Sequence, residues 1–198
     1  MSGTSIDSID AALIEIEANE ISTVASLCVP YSETLQHKLK EAIHPKFKIS
    51  LHDFASLNIQ VGEAFANACI ELLDHAKVNH KEVSAIGSHG QTLRHSPNSA
   101  PPYTLQIGDG ATIAARTNIN TVVDFRSADL AMGGEGAPLV PAFHESIFRS
   151  AQENRVILNI GGIANISELP KDLGKDISGF DTGPGNCLLD DWIQQCRG

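Results

Sequence analysis

The chain has 198 residues, 42% hydrophobic and 19% charged, with 14 Lys+Arg against 24 Asp+Glu for a formal net charge of −10. That length supports one sizeable core, or one core plus part of a second, and an acidic surface without a basic stripe excludes nucleic acid held by counterion release. No apolar run approaches the roughly 18–20 residues of a membrane span, and the N-terminus lacks a basic start and an apolar stretch, so no membrane partner and a cytoplasmic location are expected.

In chain order, a Ser/Thr/Gly/Asp turn over residues 1–8 leads into Ile9-Asp10-Ala11-Ala12-Leu13-Ile14-Glu15-Ile16, whose β-branched content and partial alternation predict a strand. Helices are predicted over 34–42 and 51–76. In the second, Phe54, Leu57, Val61, Phe65, Ala68 and Leu72 recur at three- and four-residue spacings and form one apolar face. Residues 83–90 read as a short buried strand running into a polar loop, 103–107 and 118–125 as strands, and 110–116 as a short helix between them. A Gly- and Pro-rich stretch over 132–141 leads into a helix near 142–150, and the polar segment 150–154 predicts a domain boundary. Beyond it, 155–160 and 163–169 read as strands flanking the tight turn Gly161-Gly162, an echo of the N-terminal arrangement. Strands alternating with helices predict an α/β class. Cys28, Cys69, Cys187 and Cys196 lack C-x-x-C spacing and are expected to be reduced thiols, mostly core filler.

Four stretches carry chemistry. Ser2-Gly3-Thr4-Ser5-Ile6-Asp7-Ser8-Ile9-Asp10 offers small residues and hydroxyls to an oxyanion, and Asp7 or Asp10 could hold Mg²⁺ through water; the competing reading is a tail of turn formers. It is not a Walker A loop, because no Gly-Lys-Ser/Thr follows. Gly87-Ser88-His89-Gly90-Gln91-Thr92 is a polar cluster at a strand end, suited to sugar hydroxyls and amides or simply to local backbone. Asp124-Phe125-Arg126, Asp129 and Gly133-Gly134-Glu135-Gly136-Ala137-Pro138 combine a tightly folding backbone with Arg126 and Glu135 as hydrogen-bonding groups, or form a hinge with surface charges. Gly179-Phe180-Asp181-Thr182-Gly183-Pro184-Gly185-Asn186 puts a carboxylate ahead of a helix N-terminus, as a base beside bound phosphate or as an Asx-type cap.

Taken together and in order, these stretches, with Asn159-Ile160-Gly161-Gly162, resemble the hallmarks of the anhydro-N-acetylmuramic acid kinases. The resemblance covers essentially the whole chain. It implies the sugar kinase, heat-shock ATPase and actin fold: a ribonuclease-H-like domain over residues 1–150 and the beginning of a second over 151–198, truncated at both ends. It also implies ATP and Mg²⁺ as cofactors, an anhydro amino sugar as small-molecule substrate, and a homodimer for the full-length protein. The activity implied is phosphorylation of the 6-oxygen of 1,6-anhydro-N-acetylmuramic acid while water opens the anhydro bridge at carbon 1.

Residue by residue, the resemblance makes Gly3, Thr4, Ser5, Ile6, Asp7, Ser8, Ile9 and Asp10 the ATP phosphate loop, Asp181 the general base, and His89, Gln91, Arg126 and Glu135 the lining of the sugar cleft. No metal ligand is assigned. The chain departs from the family at Ser8, where relatives usually carry glycine; a φ > 0 requirement there would strain serine by about 1 kcal/mol. It departs again at Ser127 and Ala128, where relatives often carry basic residues, and at Glu135, which stands for a glutamine seen in many. The family's strand before Met-Ser-Gly-Thr-Ser and most of its second domain lie outside these 198 residues, so this chain by itself is expected to be inactive or nearly so. The alternatives are another sugar or acetate-type kinase of the same superfamily, a sugar hydrolase using Asp181 and Glu135, and a non-catalytic sugar-binding remnant.

Overall fold

The computed structural model describes residues 1–3, 5–17 and 20–197. It is a mixed α/β chain of two compact units, one formed by Met1–Glu15 with Ser22–Gly134, the other by Ile16–Ile21 with Glu135–Gly198. The division falls ahead of the polar segment 150–154. No helix among the described residues is long and apolar enough to cross a membrane.

Strands β1 (Ser8–Glu17) and β2 (Glu20–Pro30) pair with each other, and all but their adjoining ends belong to the first unit. Helix α1 (Glu33–Ala42) follows, its first turn capped by the Ser32 hydroxyl, which accepts from the Leu35 amide. The periodicity predicts a helix over 51–76, and α2 spans Leu51–Ala76, capped at one end by Ser50 and closed at the other by Lys77 in the left-handed conformation. Its buried residues Leu57, Val61, Phe65 and Ala68 meet Ile6, Ile9, Leu35, Leu39, Leu93, Ile107 and Ile113 in one core. Gly62 lets α2 approach α3 (Gly110–Thr117): a Cβ there would stand 2.9 Å from the Asp109 carbonyl oxygen.

Strand β3 (Ile86–Gly87) runs parallel to β6 (Thr121–Val122), with α3 in the connection. Both are two residues long, shorter than the strands expected over 83–90 and 118–125, and Gly87 and Val122 are exposed rather than buried. The polar cluster expected to be a loop instead enters β4 (Gln91–Ser96), antiparallel to β5 (Tyr103–Ile107), with a register shift between Thr92 and Arg94. Where the strand expected over 118–125 should end, at Phe125, helix α4 (Phe125–Ala131) begins instead.

In the second unit, helix α5 (Pro141–Phe148) packs on a three-stranded antiparallel sheet of β7 (Arg155–Ile160), β8 (Ile163–Leu169) and β9 (Ser178–Pro184). His144 of α5 and Ser167 of β8 are both buried and joined at 2.8 Å. Gly179 makes room for Pro141, whose ring would overlap a Cβ at that site. Val156, Leu158 and Ile160 alternate along β7 and are each more than half exposed, as are Leu188, Leu189, Trp192 and Ile193 of the closing helix α6 (Asn186–Arg197). None of the four cysteines is buried: Cys28 and Cys196 are exposed and Cys69 and Cys187 half-buried, all as free thiols, so the expectation of core filler is corrected.

Candidate functional site

The N-terminal turn is folded by its own polar groups. Asp7 Oδ1 accepts from the Ser5 hydroxyl at 2.7 Å and from the Ser8 amide at 3.0 Å. The Ser5 hydrogen bond, ahead of the other influences, holds the Asp7 carboxyl below its ordinary value. Gly3, Ser5, Asp7 and Asp10 are exposed, whereas Ile6 and Ile9 send their side chains into the core, leaving only backbone to a ligand at those two positions. Thr4 lies outside the described residues. The strain expected at Ser8 is absent, because Ser8 is the first residue of β1; the left-handed residue of the turn is Ile6, at φ 54°. A β-branched residue there costs about 1–3 kcal/mol, offset by complete burial of its side chain and by Gln36 Nε2, which donates to its carbonyl at 2.8 Å.

Gln91, 2% exposed, reaches this turn from the head of β4: its Nε2 lies 3.4 Å from the Gly3 carbonyl and 3.3 Å from that of Thr92. Its Oε1 and the hydroxyls of Ser2, Tyr31 and Ser88 are buried with no hydrogen-bond partner among the described residues. Burial pushes the Tyr31 hydroxyl up to about 12, against the influence of nearby Ser2. Unsatisfied buried polar atoms each cost about 1–3 kcal/mol, and Gln91 carries one of them beside Gly3. Tyr31 and Gln36 belong to none of the stretches singled out in the sequence; Tyr31 meets Ser2, and Gln36 reaches Ile6 from α1, only in the folded chain.

One residue before Gln91, Gly90 adopts φ 73°, and a Cβ there would stand 2.5 Å from the Ile107 carbonyl oxygen. Gly90→Ala therefore combines left-handed strain of about 1–2 kcal/mol with a clash against β5. It is expected to lower the melting temperature by several degrees, whereas Gly3→Ala, whose Cβ would meet only Ser5 Oγ at 3.9 Å, leaves it nearly unchanged. Thermal melts of the two variants check this.

His89 and Arg126 come together: Arg126 Nε–H donates to His89 Nε2 at 2.8 Å, and His89 Nδ1 lies 3.0 Å from the Gly90 carbonyl. Arg126 is the second residue of α4, and Asp124, which precedes the helix, sits in the left-handed region at φ 59° without a side-chain cap. At the far end of α4 the Gly134 amide donates to the Asp129 carbonyl at 2.9 Å, and the Asp129 carboxylate lies against Gly134, so a side chain there would have to displace it. Glu135 is exposed between Gly134 and the left-handed Gly136, and belongs to the second unit.

Asp181 lies within β9 rather than on a turn before a helix; α6 begins five residues on, at Asn186. It is exposed, and stands directly across from Asn165 of β8, which in turn stands across from Asn159 of β7, so the three share one face of the sheet. The Oδ1 of Asn165 is shielded from solvent and has no partner among the described residues. Asn165 escaped the sequence reading, although Asn159 and Asn165 stand at equal distance on either side of Gly162, which is the signal of a cross-strand pair. No group of three or more potential metal ligands occurs among the described residues.

A mixed α/β fold with a carboxylate opposite an amide on a sheet face is consistent with a domain of a sugar kinase family. The family model for anhydro-N-acetylmuramic acid kinase matches residues 1–198, and the chain belongs to that family. It is 50% identical over 192 residues to the anhydro-N-acetylmuramic acid kinase of Coxiella burnetii (strain Dugway 5J108-111), covering 97% of this chain and 51% of the relative. Identity is 46% with that of Photobacterium profundum, over 100% of this chain and 52% of the relative. With that of Xylella fastidiosa (strain Temecula1) it is 48%, over 98% and 51%. The chain spans about half the length of the curated relatives it matches.

Proposed function

We propose that this polypeptide carries the sugar-binding residues and the general base of a kinase that converts 1,6-anhydro-N-acetylmuramic acid to N-acetylmuramic acid 6-phosphate in the cytoplasm, the whole protein acting as a homodimer. The observation that carries the proposal is the family match over residues 1–198; the exposed carboxylate of Asp181 among amides supports it. The fold is read as a ribonuclease-H-like domain over 1–150 and the start of a second over 151–198. The β3–α3–β6 parallel crossover supports the first, and the strand, glycine turn and strand of β7 and β8 support the second.

Asp181 accepts a proton from the water that attacks carbon 1, a role for a carboxylate within hydrogen-bond reach of the water. The bond from carbon 1 to the bridging oxygen breaks as the new one forms, and the 6-oxygen is thereby freed to take the phosphoryl group. His89, Gln91, Arg126 and Glu135 line the sugar cleft, with the Arg126 guanidinium the natural partner of the sugar's carboxylate. ATP supplies the phosphoryl group and Mg²⁺ shields its oxygens when bound. The N-terminal turn suits that pair: Asp7 is an exposed carboxylate held ionised, and a Cβ at Gly3 would meet only Ser5 Oγ. Gly3, Thr4, Ser5, Asp7, Ser8, Asp10 and the backbone of Ile6 and Ile9 would hold the nucleotide phosphates and their cation.

Mass spectrometry of products formed with ATP, Mg²⁺ and the anhydro sugar tests the reading, using this chain alone and a chimera in which the C-terminal half of the Coxiella burnetii relative follows it. The chimera is expected to yield product carrying one added phosphate and one added water, and the 198-residue chain alone none, since it spans about half a relative. Sugar opened without ATP would instead mark a hydrolase, and binding without turnover in the chimera a non-catalytic remnant.

A further inference from the structure

We propose that His89 is a positioning residue: held as the neutral Nδ1–H tautomer, it uses its Nε2 lone pair to fix the Arg126 guanidinium beside the β3–β4 connection, and lets it go when the ring gains a second proton. The two neighbours of the ring impose this. An arginine Nε–H keeps its proton and cannot accept, so at 2.8 Å His89 Nε2 must present its lone pair. A carbonyl oxygen can only accept, so the 3.0 Å contact to Gly90 puts the hydrogen on Nδ1. One donor and one acceptor thus select one of three protonation states. The imidazolium would turn an N–H toward the Arg126 N–H and repel it.

The surroundings act in the same direction. Burial is the largest influence lowering the His89 pKa from its ordinary value, the Gly90 carbonyl opposes it, and the cations facing the ring, Arg126 from α4 and the Met1 ammonium from the N-terminal segment, lower it further. The unfolded chain binds this proton at about pH 6.5, so the stability contributed by the neutral ring is complete above that pH and is lost as pH falls through the lower folded value. Arg126 enters only two residues after the left-handed Asp124, a backbone choice that aims the start of α4. The consequence for substrate rests on the reading of Arg126 as part of the sugar site; the tautomer does not.

Long-range proton–nitrogen spectra of the ¹⁵N-labelled 198-residue chain test the tautomer directly. At about pH 7.5, a unit above the ordinary histidine value, His89 is expected to show a protonated Nδ1, a bare Nε2, and a scalar coupling across the hydrogen bond from Arg126 Nε. Acidification should move both residues together with a midpoint below about 6.5. In H89F the Arg126 Nε–H should exchange with water roughly tenfold faster, and H89Q, whose side-chain oxygen can accept, should restore protection. A protonated Nε2, or an Arg126 signal identical in wild type and H89F, would overturn the proposal. In calorimetric titrations with the anhydro sugar, H89F should bind about tenfold more weakly than wild type and H89Q nearly as well; equal affinity of wild type and H89F would overturn the positioning role. Absence of sugar binding in all three, with the spectra as expected, would leave the tautomer standing and refute the sugar-site reading instead.

Discussion

Asp181→Asn in the chimera is expected to lower formation of the hydrated, phosphorylated sugar by about 10²–10⁴-fold, the usual worth of a positioned general base. The amide has the shape of the carboxylate and cannot take the proton of the attacking water. Asp181 is exposed on β9, and its backbone pairing opposite Asn165 does not depend on the side chain. The substitution should therefore change stability by no more than about 0.5 kcal/mol, and a thermal melt separates lost chemistry from lost fold. Product at the wild-type rate from the Asn variant would remove Asp181 from the mechanism.

The second large effect is on stability. Phe65 is 3% exposed on the buried face of α2, in the core that also holds Leu39, Val61, Ile9 and Ile113. Phe65→Ala removes most of a ring from that core and leaves a cavity, for a cost of about 3–5 kcal/mol, a large share of the roughly 5–15 kcal/mol that typically separates folded from unfolded domains. Urea denaturation should show the midpoint of the variant fall steeply or the folded baseline disappear. Leu188→Ala, at a side chain 61% exposed on α6, serves as the control and should shift stability by about 0.5 kcal/mol or less. A Phe65→Ala variant within about 1 kcal/mol of wild type would mean that α2 is not the centre of the first core.

The helices were the most legible part of the fold. An apolar residue every three or four positions from Phe54 to Leu72 specifies a helix and the face it buries, because that stripe can be removed from water in only one way; α2 spans the expected 51–76. Strand β2 was not read from the sequence: Ala25, Leu27 and Val29 alternate and are half-buried, but Ser26 and Cys28 stand between them and the exposed Val24 breaks the alternation. Strands β3 and β6 were over-read. Apolar stretches at 83–90 and 118–125 have strand composition, but how much of each is paired depends on what lies beside it, and there only two residues of each meet.

The site divides along the same line. Sequence alone determined the polar stretches, their order, the family they resemble and the carboxylate at Asp181, because residue type sets which groups can donate, accept or ionise. Tertiary structure alone decided which of those groups meet. Gln91 reaches Gly3 across 88 positions of chain, His89 accepts from Arg126 across 37, and Asn165 faces Asp181 across a register that includes a bulge. It also decided that the strained residue of the N-terminal turn is Ile6 and not Ser8. A left-handed φ at a β-branched residue is tolerated only where burial and a hydrogen bond to its carbonyl outweigh the strain, and both come from neighbours that local sequence does not name.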